Sequence, residues 1–228
     1  SLLSLSLLSF FVTSLGPPSI HLSSASAASD GYKGQVSTLP LTRVLHLLDP
    51  PPPEAVRSVA ESMRFRHLRL VVLGLDRPRL TANASLYFPE RSVPFTRLYE
   101  PKNRSPHMAP DDQTVVVLER PCHPHTEAWE QSDDTLRNSA VDLLATQGFI
   151  EGDGDVVAVD HRALPFAYPI LEVGAHDKAN RLKTYLDHFN NLHLLGRSAR
   201  FTYTHVHNLY ARARRLTERI APRAKSVA

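Results

Sequence analysis

A strand–turn–helix segment over 192–220 contains the residues best suited to chemistry. An apolar run over 192–195 ends at Gly196 and Arg197, the turn continues through Phe201 and Tyr203, and a helix starts near His207 and Asn208. Backbone N–H groups at a helix N-terminus and a guanidinium both attract anions, so the pattern indicates a site for a pyrophosphate or an electron-rich ring oxygen. An ordinary connection with a surface arginine would produce the same spacing, and this alternative stays open.

Other reactive residues form weaker patterns. Cys122 and His123 are adjacent on a proline-broken loop and lack the usual spacing of metal ligands. The acidic run over 151–155 lacks the full frame of a calcium loop and is better read as a solvated turn. No G-x-S-x-G, H-E-x-x-H or phosphate-loop motif occurs. We therefore predict no metal site and assign no catalytic residue.

The nine glycines do not form a dinucleotide-binding fingerprint. No three of them have the G-x-G-x-x-G spacing, and Gly152 and Gly154 lack a third partner. A glycine-built cradle for a pyrophosphate is therefore missing from these residues.

The hydrophobic pattern places these residues on a mixture of strands and helices. Ser132 is a good N-cap for the clearest helix, and Gly148 is a natural stop for it. Further strands are predicted over 35–41, 66–75, 84–88, 95–99, 114–119, 155–159 and 192–195, an extended segment over 164–169, and further helices over 54–63, 176–189 and 208–220. Without regular alternation, this order indicates an α/β or α+β class.

Composition bounds the possible functions. The chain has 228 residues, of which 42% are hydrophobic and 21% charged, so it has enough apolar residues for a folded core. The single cysteine excludes an internal disulfide framework and a multi-cysteine zinc site. The net charge is only +3, and the arginines of the last helix do not share one face with aromatic residues, so we predict no nucleic-acid partner.

The N-terminal stretch has two interpretations. Residues 1–15 are apolar, and a small-x-small pattern at 25–27 suits a signal-peptidase site. The stretch lacks a starting methionine and a positive leading region, which favours a remnant of strands and loop. We predict a cytoplasmic protein, with secretion as the alternative if residues 1–27 are a signal peptide.

Six ordered segments resemble one group of flavoproteins: VSTLPL (36–41), RFRHLRLVVLGLDRP (64–78), YFPE (87–90), VPFTRLYEPKN (93–103), LPFAYPI (164–170) and NLHLLGRSARFTYTHVHNL (191–209). The chain looks like the C-terminal portion of the FAD-dependent amine oxidase and protoporphyrinogen oxidase superfamily, in its UDP-galactopyranose mutase-like subgroup. The resemblance implies an FAD/NAD(P)-binding-type fold without its N-terminal Rossmann half, joined to a mixed-sheet substrate domain with helices on one side.

The resemblance also implies domains and a cofactor face. Residues 1–40 would be a remnant of the cofactor domain or a signal-like leader, 41–163 the substrate domain, and 164–228 the return to the FAD-binding domain. Segments 36–41 and 192–196 should lie close together. The implied FAD-binding residues are Gly196, Arg197, Phe201, Tyr203, His207 and Asn208. The family often has Asn and Asp where this chain has His205 and His207.

The implied function is hydride transfer from a small-molecule substrate to the flavin of an FAD-dependent oxidoreductase, with a missing N-terminal FAD-binding segment as a partner. Tyr168 and Asn103 are candidates for lining the substrate pocket. One alternative is a flavin-dependent sugar-nucleotide mutase, for which pocket arginines and tyrosines would be expected. A second alternative is a non-catalytic binding domain that has lost its cofactor half.

Overall fold

The computed structural model of the chain describes residues 20–21 and 35–220. The strands are β1 (Ile20–His21), β2 (Gln35–Ser37), β3 (Leu48–Asp49), β4 (Phe65–Leu75), β5 (Ser85–Tyr87), β6 (Arg97–Tyr99), β7 (Thr114–Cys122), β8 (Val156–Pro169) and β9 (Leu192–Leu194). The helices are α1 (Leu41–His46), α2 (Glu54–Glu61), α3 (Glu127–Glu130), α4 (Asp133–Thr146), α5 (Ala175–Leu186) and α6 (Val206–Ile220). The predicted α/β class is confirmed.

The largest sheet is antiparallel, with the strand order β5-β6-β7-β4-β8. β4 is central, and its register places Val71 opposite Leu118 of β7 and His161 of β8. Alternate β4 side chains point to opposite faces, and those on one face are all buried, with Val71, Leu73 and Leu75 fully so. Parallel pairing occurs only outside this sheet among the described strands.

Helix α4 covers one face of the sheet. Leu136, Ala140 and Leu144 are fully buried and share a core with side chains of β4 and β7. This core forms because three turns of apolar side chains at helical spacing meet the apolar face of the strands. The other members include Val71, Leu73, Leu75, Phe95, Leu98, Val116 and Leu118. The predicted helix on one side of the sheet is therefore present.

Local chemistry fixes both ends of α4. The Ser132 hydroxyl accepts a hydrogen bond from the Thr135 backbone N–H at 3.2 Å, as an N-cap does. Asp133 and Asp134 occupy the first turn, where the helix dipole favours negative charge. Gly148 adopts a φ of +71° just beyond the helix, a conformation that costs glycine little.

The described residues divide into two compact units. Unit 1 contains residues up to Met63 and from Gly174 onward, and unit 2 contains Arg64–Val173. The divisions lie at 63/64 and 173/174, whereas the sequence interpretation placed them at 40/41 and 163/164. The difference arises because α1 and α2 pack in the same unit as α5. The predicted roles of the domains remain a prediction, and most of residues 1–40 lie outside the described residues.

The two ends of unit 2 are fastened to each other. The backbone N–H of Ile170 donates to the carbonyl of Arg64 at 2.9 Å. The Arg64 guanidinium also forms an ion pair with Glu172. The chain therefore enters and leaves unit 2 at one place.

Several elements differ from the sequence interpretation, and helix α1 and strand β3 were not predicted. The strand predicted over 35–41 ends at Ser37, because Pro40 precedes α1. The segments 155–159 and 164–169 form the single long strand β8, which tolerates Pro165 because it lies at the sheet edge. The short helix α3 was not predicted. In the described part of the chain, no helix has the length and apolar character needed to span a membrane.

Candidate functional site

The candidate cofactor face is built on the parallel pair of β2 and β9. Gln35 lies opposite Leu192, and Ser37 lies opposite Leu194. The pairing continues beyond the strand, where the Leu195 N–H donates to the Ser37 carbonyl at 2.9 Å. The prediction that 36–41 and 192–196 lie close together is confirmed.

The turn after β9 is held against the segment after β2. Gly196 has a φ of +104°, and a Cβ placed on it would lie 3.7 Å from the Thr38 Cβ. The Leu41 N–H donates to the Ser198 carbonyl at 3.1 Å. The Thr202 N–H donates to the Arg197 carbonyl at 3.1 Å, which closes the turn. Gly196 and Arg197 are thus positioned by backbone contacts from the distant segment 37–41 and by a bond within the turn.

Replacing Gly196 by alanine should destabilise the protein by about 1–3 kcal/mol, because its backbone conformation strains an L-residue. The space itself is adequate, since the nearest atoms would be at ordinary contact distance. Urea denaturation monitored by circular dichroism measures the change. Gly152→Ala is the matched control, because Gly152 has an extended φ of 163° and open space around it. Equal stability of the two variants would contradict this reading of the turn.

The two predicted aromatic residues occupy different environments. Phe201 is 4% exposed and adopts a φ of +49°, so its ring is part of the packing of unit 1. Tyr203 is 55% exposed. Of the two, only Tyr203 lies mainly at the surface, and its role toward a flavin remains a prediction.

The start of α6 contains the two histidines that depart from the family pattern. The His205 carbonyl accepts hydrogen bonds from the N–H groups of Asn208 and Leu209, at 3.1 and 3.2 Å. The rings of His205 and His207 stack with centroids 5.6 Å apart and planes 8° from parallel. His207 and Asn208 are exposed on the first turn. Their position agrees with the predicted helix start, and a cofactor contact by them remains a prediction.

Unit 1 also contains a group of cations near this turn. Burial lowers the pKa of Lys183, and the positive charges of Arg200 and Arg212 lower it further. Asp187 opposes this effect. The Nη1 atom of Arg212 is buried and has no hydrogen-bond partner among the described residues. The group therefore has an excess of positive charge that an anionic ligand would stabilise.

A second candidate surface lies on the sheet face opposite α4. Arg97 and Tyr99 of β6 point to this face, since the residue between them, Leu98, belongs to the core on the other side. Glu119 of β7 lies directly opposite Arg97, and Tyr87 lies opposite Arg97 on β5. Sequence reasoning missed this group, although the alternation in 97–99 was a visible signal.

An ion pair and an aromatic ring hold the Arg97 side chain. Its Nη2 atom donates to Glu119 Oε1 at 2.5 Å, and its guanidinium carbon lies 4.9 Å from the centre of the Tyr99 ring. Burial opposes the positive charge, but hydrogen bonds to Glu119 and Tyr87 outweigh it and raise the pKa of Arg97. Burial, and then the Glu119 charge, raise the pKa of Tyr99. Arg97 thus stays charged on a half-buried surface.

The two residues predicted to line a substrate pocket, Asn103 and Tyr168, differ in their contacts and position. Asn103 donates through Nδ2 to the carbonyls of Thr81 and Asn83, at 2.7 and 3.0 Å, so its amide holds a loop in place. Tyr168 is half-buried on β8, and its electrostatic interaction with Tyr99 is a minor contribution to the raised pKa of Tyr99. Tyr168 therefore lies near Tyr99 and Arg97. The Asn103 side chain instead stabilises the loop that contains Thr81 and Asn83.

The weaker motifs also have structural explanations. Cys122 is buried, and that burial raises the pKa of its thiol, which disfavours the reactive thiolate. In the acidic turn, Asp155 pairs with Arg77 and Asp153 with Arg137. Within residues 20–21 and 35–220, no three His, Cys, Asp or Glu side chains are grouped so that they could hold a metal ion.

A surface depression lies elsewhere, on the exposed face of α5. It has a volume of about 560 Å³ and contains none of the predicted site residues. Its lining residues are Asp177, Asn180, Arg181, Thr184, Tyr185 and His188. Because one exposed helix and a residue just beyond its C-terminal end supply all of them, we assign it no role.

Comparison with solved structures gives the same fold. A reduced UDP-galactopyranose mutase matches 75% of this chain and 37% of its own, at 19% identity and a TM-score of 0.63. A protoporphyrinogen oxidase candidate from Exiguobacterium sp. 255-15 matches 81% of this chain and 40% of its own, at 18% identity and a TM-score of 0.59. A redesigned putrescine oxidase matches 81% of this chain and 42% of its own, at 14% identity and a TM-score of 0.55.

The sequence itself matches no family model and no curated protein. The chain spans about two fifths of the length of the structures that it matches. The likeness therefore concerns the fold, and it confirms the predicted resemblance at that level. This chain has the fold of the C-terminal part of the FAD-dependent, amine-oxidase-like flavoproteins.

Proposed function

We propose that this chain forms part of an FAD-dependent oxidoreductase. In this proposal, segments 35–41 and 192–220 form one side of the cofactor site, and the face of the sheet opposite α4 receives a small-molecule substrate. The observation that supports it is the β2–β9 pair, which leads into the Gly196 turn beside a cluster with more positive than negative charge. The fold of the matched flavoproteins supports the same interpretation.

The residues present fit a dinucleotide in part. A pyrophosphate is anionic, and the buried, unpartnered Arg212 Nη1 together with the half-buried Lys183 would be stabilised by an anion. Gly196 and Arg197 would lie at the phosphates, and Tyr203 beside the ring. When bound, a flavin supplies a hydride acceptor. The sequence contains no G-x-G-x-x-G, so the cradle that this motif forms is not among these residues.

A sugar-nucleotide mutase is the second candidate, and the surface opposite α4 favours it. Arg97, Tyr99, Tyr87 and Tyr168 are the arginine and tyrosines expected for a hydroxyl-rich sugar nucleotide, and the Arg97 guanidinium is already paired with Glu119. A porphyrin or polyene would instead require an apolar funnel. Both candidates use the same cofactor face and differ in what the sheet binds.

Titration of the purified chain with FAD, followed by flavin fluorescence, tests the proposal. We expect saturable quenching, and we expect Arg197→Ala to weaken binding roughly tenfold or more, because a charge-assisted contact to phosphate is lost. Arg181→Ala is the matched control, because Arg181 is an exposed arginine on α5 in the same unit. Absence of FAD binding, or equal binding by both variants, would contradict the proposed cofactor face.

A parallel titration with UDP separates the two candidates. Binding of UDP that is lost in Arg97→Ala favours the mutase, and its absence alongside FAD binding favours the oxidoreductase. A chain that binds neither probe would match the non-catalytic alternative.

A further inference from the structure

The outer edge of β8 over residues 156–164 is the longest strand edge without a neighbouring strand among the described residues. β8 runs from Val156 to Pro169 and is the last strand in the sheet order, and among the described strands it pairs with β4. Its residues from 157 to 165 are exposed or half-buried. Val157, Val159 and Leu164 are 49%, 39% and 41% exposed. The strand thus presents both backbone groups and apolar side chains to its surroundings.

The outer edge of β8 has few of the features that usually prevent an edge strand from pairing with another chain. Edges are commonly made short or are interrupted by lysine, proline or a bulge that blocks pairing with another chain. Residues 158–164 contain no lysine and no proline and pair with β4 without a register shift, and the register shifts lie on either side of them, at Val157 and after Leu164. An edge with these properties is a template for an added strand.

The charged residues on β8 of one copy are complementary to those on β8 of a second, antiparallel copy. Asp160 and Arg162 flank His161, and their side chains form an ion pair at 2.8 Å while each is about half exposed. Both point to the face opposite α4, because they lie opposite Val72 and Leu70 of β4. If a second copy pairs antiparallel about His161, Asp160 lies opposite Arg162 of the second copy, and the reverse contact follows by symmetry.

The registers centred one residue to either side are disfavoured by charge repulsion, which also selects the register centred on His161. A two-fold pairing centred on Asp160 would place that aspartate opposite its own copy, and a pairing centred on Arg162 would place two arginines together. Like charges directly opposite each other destabilise a strand pair. In the register centred on His161, this histidine lies opposite its own copy, each beside Asp133 of its own chain at 3.9 Å. The flanking contacts are between Val159 and Ala163, which are compatible.

We propose that β8 pairs with β8 of a second copy of this chain, antiparallel and centred on His161, so that the two sheets become one. The contact is isologous, because one two-fold axis generates both ion pairs. Backbone hydrogen bonds along the edge provide the attraction, and Asp160 and Arg162 fix the register. This inference does not depend on the proposed function.

Charge reversal on the full chain tests it, with mass measured by sedimentation velocity over about 1–200 µM, a range suited to weak association. Dimers are expected for the native chain. Asp160→Arg and Arg162→Asp alone should each weaken dimerisation about tenfold or more, because like charges then meet. The double variant D160R/R162D should restore it. Arg57→Asp on α2 is the matched control, because Arg57 forms an exposed ion pair in unit 1.

Several outcomes would overturn the proposal. These are a native chain that stays monomeric, a dimer insensitive to Arg162→Asp, and a double variant that does not recover. Hydrogen exchange gives an independent measurement: dimer formation should slow exchange of the outward amides of 157–164 as concentration rises. Protection that is already complete in a monomer would show that another part of the same chain covers the edge, which also overturns it. Circular dichroism verifies that each variant is folded.

Discussion

Replacing Glu100 by leucine should lower the free energy of unfolding by about 3–5 kcal/mol, because several buried donors lose their acceptor at once. The Glu100 carboxylate is fully buried. It accepts hydrogen bonds from the N–H groups of Leu80 and Thr81, both at 2.9 Å. It also accepts from the Thr114 hydroxyl at 2.6 Å and from Asn103 Nδ2 at 3.1 Å.

Urea denaturation of the full chain measures this loss. Glu100→Gln should lie between leucine and the native residue, since one amide oxygen remains as an acceptor while the amide nitrogen faces a donor. Glu90→Leu is the control for an exposed glutamate and should change stability little. A loss of less than about 1 kcal/mol for Glu100→Leu would show that the carboxylate does not organise the 80–83 loop.

Replacing Arg69 by leucine should cost about 2–4 kcal/mol, because two half-buried carbonyl groups and Asp133 lose a charged donor. The Arg69 side chain is 10% exposed. Its Nη1 atom donates to the carbonyls of Trp129 and Gln131, at 2.6 and 3.0 Å, and Nη2 pairs with Asp133. One side chain thus fastens the segment between α3 and α4 to the central strand.

The matched control is Arg66→Leu, because Arg66 is exposed on the same strand and its loss should be nearly neutral. Hydrogen exchange followed by mass spectrometry should show faster exchange over 127–132 in Arg69→Leu only. Arg69→Lys should recover only part of the stability, since an ammonium group cannot reproduce the planar fork of the guanidinium. Equal stability of the Arg66 and Arg69 variants would refute the role of this contact.

Sequence reasoning succeeded where local chemistry determines the element. Helix α4 was predicted from Ser132 and Gly148, which act at its two ends, and from an apolar stripe that meets the sheet. Strands β4 and β7 were predicted because long apolar or alternating runs with β-branched residues have few other structures available. The predicted bounds differ from the observed ones by a few residues, because helix and strand ends depend on packing.

It failed where the outcome depends on a partner distant in the sequence. The Arg97 and Glu119 pair follows from the register of β6 on β7, which no local pattern reveals. The short helix α1 escaped because Pro40 marks the end of a strand as readily as the approach to a helix. The closeness of β2 and β9 was predicted from the family resemblance, because spacing alone does not pair strands so far apart.

The fastened ends of unit 2 have a consequence for how the chain folds. β2 and β9 pair although the whole of unit 2 separates them in the sequence. While unit 2 is unfolded, this pairing has a large cost in loop-closure entropy. Once unit 2 folds, the bond between Ile170 and Arg64 brings its two ends together, and the effective loop becomes several-fold shorter. This saves roughly 1 kcal/mol of closure entropy. We therefore expect that unit 2 can be replaced by another domain whose two chain ends lie close together. The closure entropy of the β2–β9 pairing would then stay about the same.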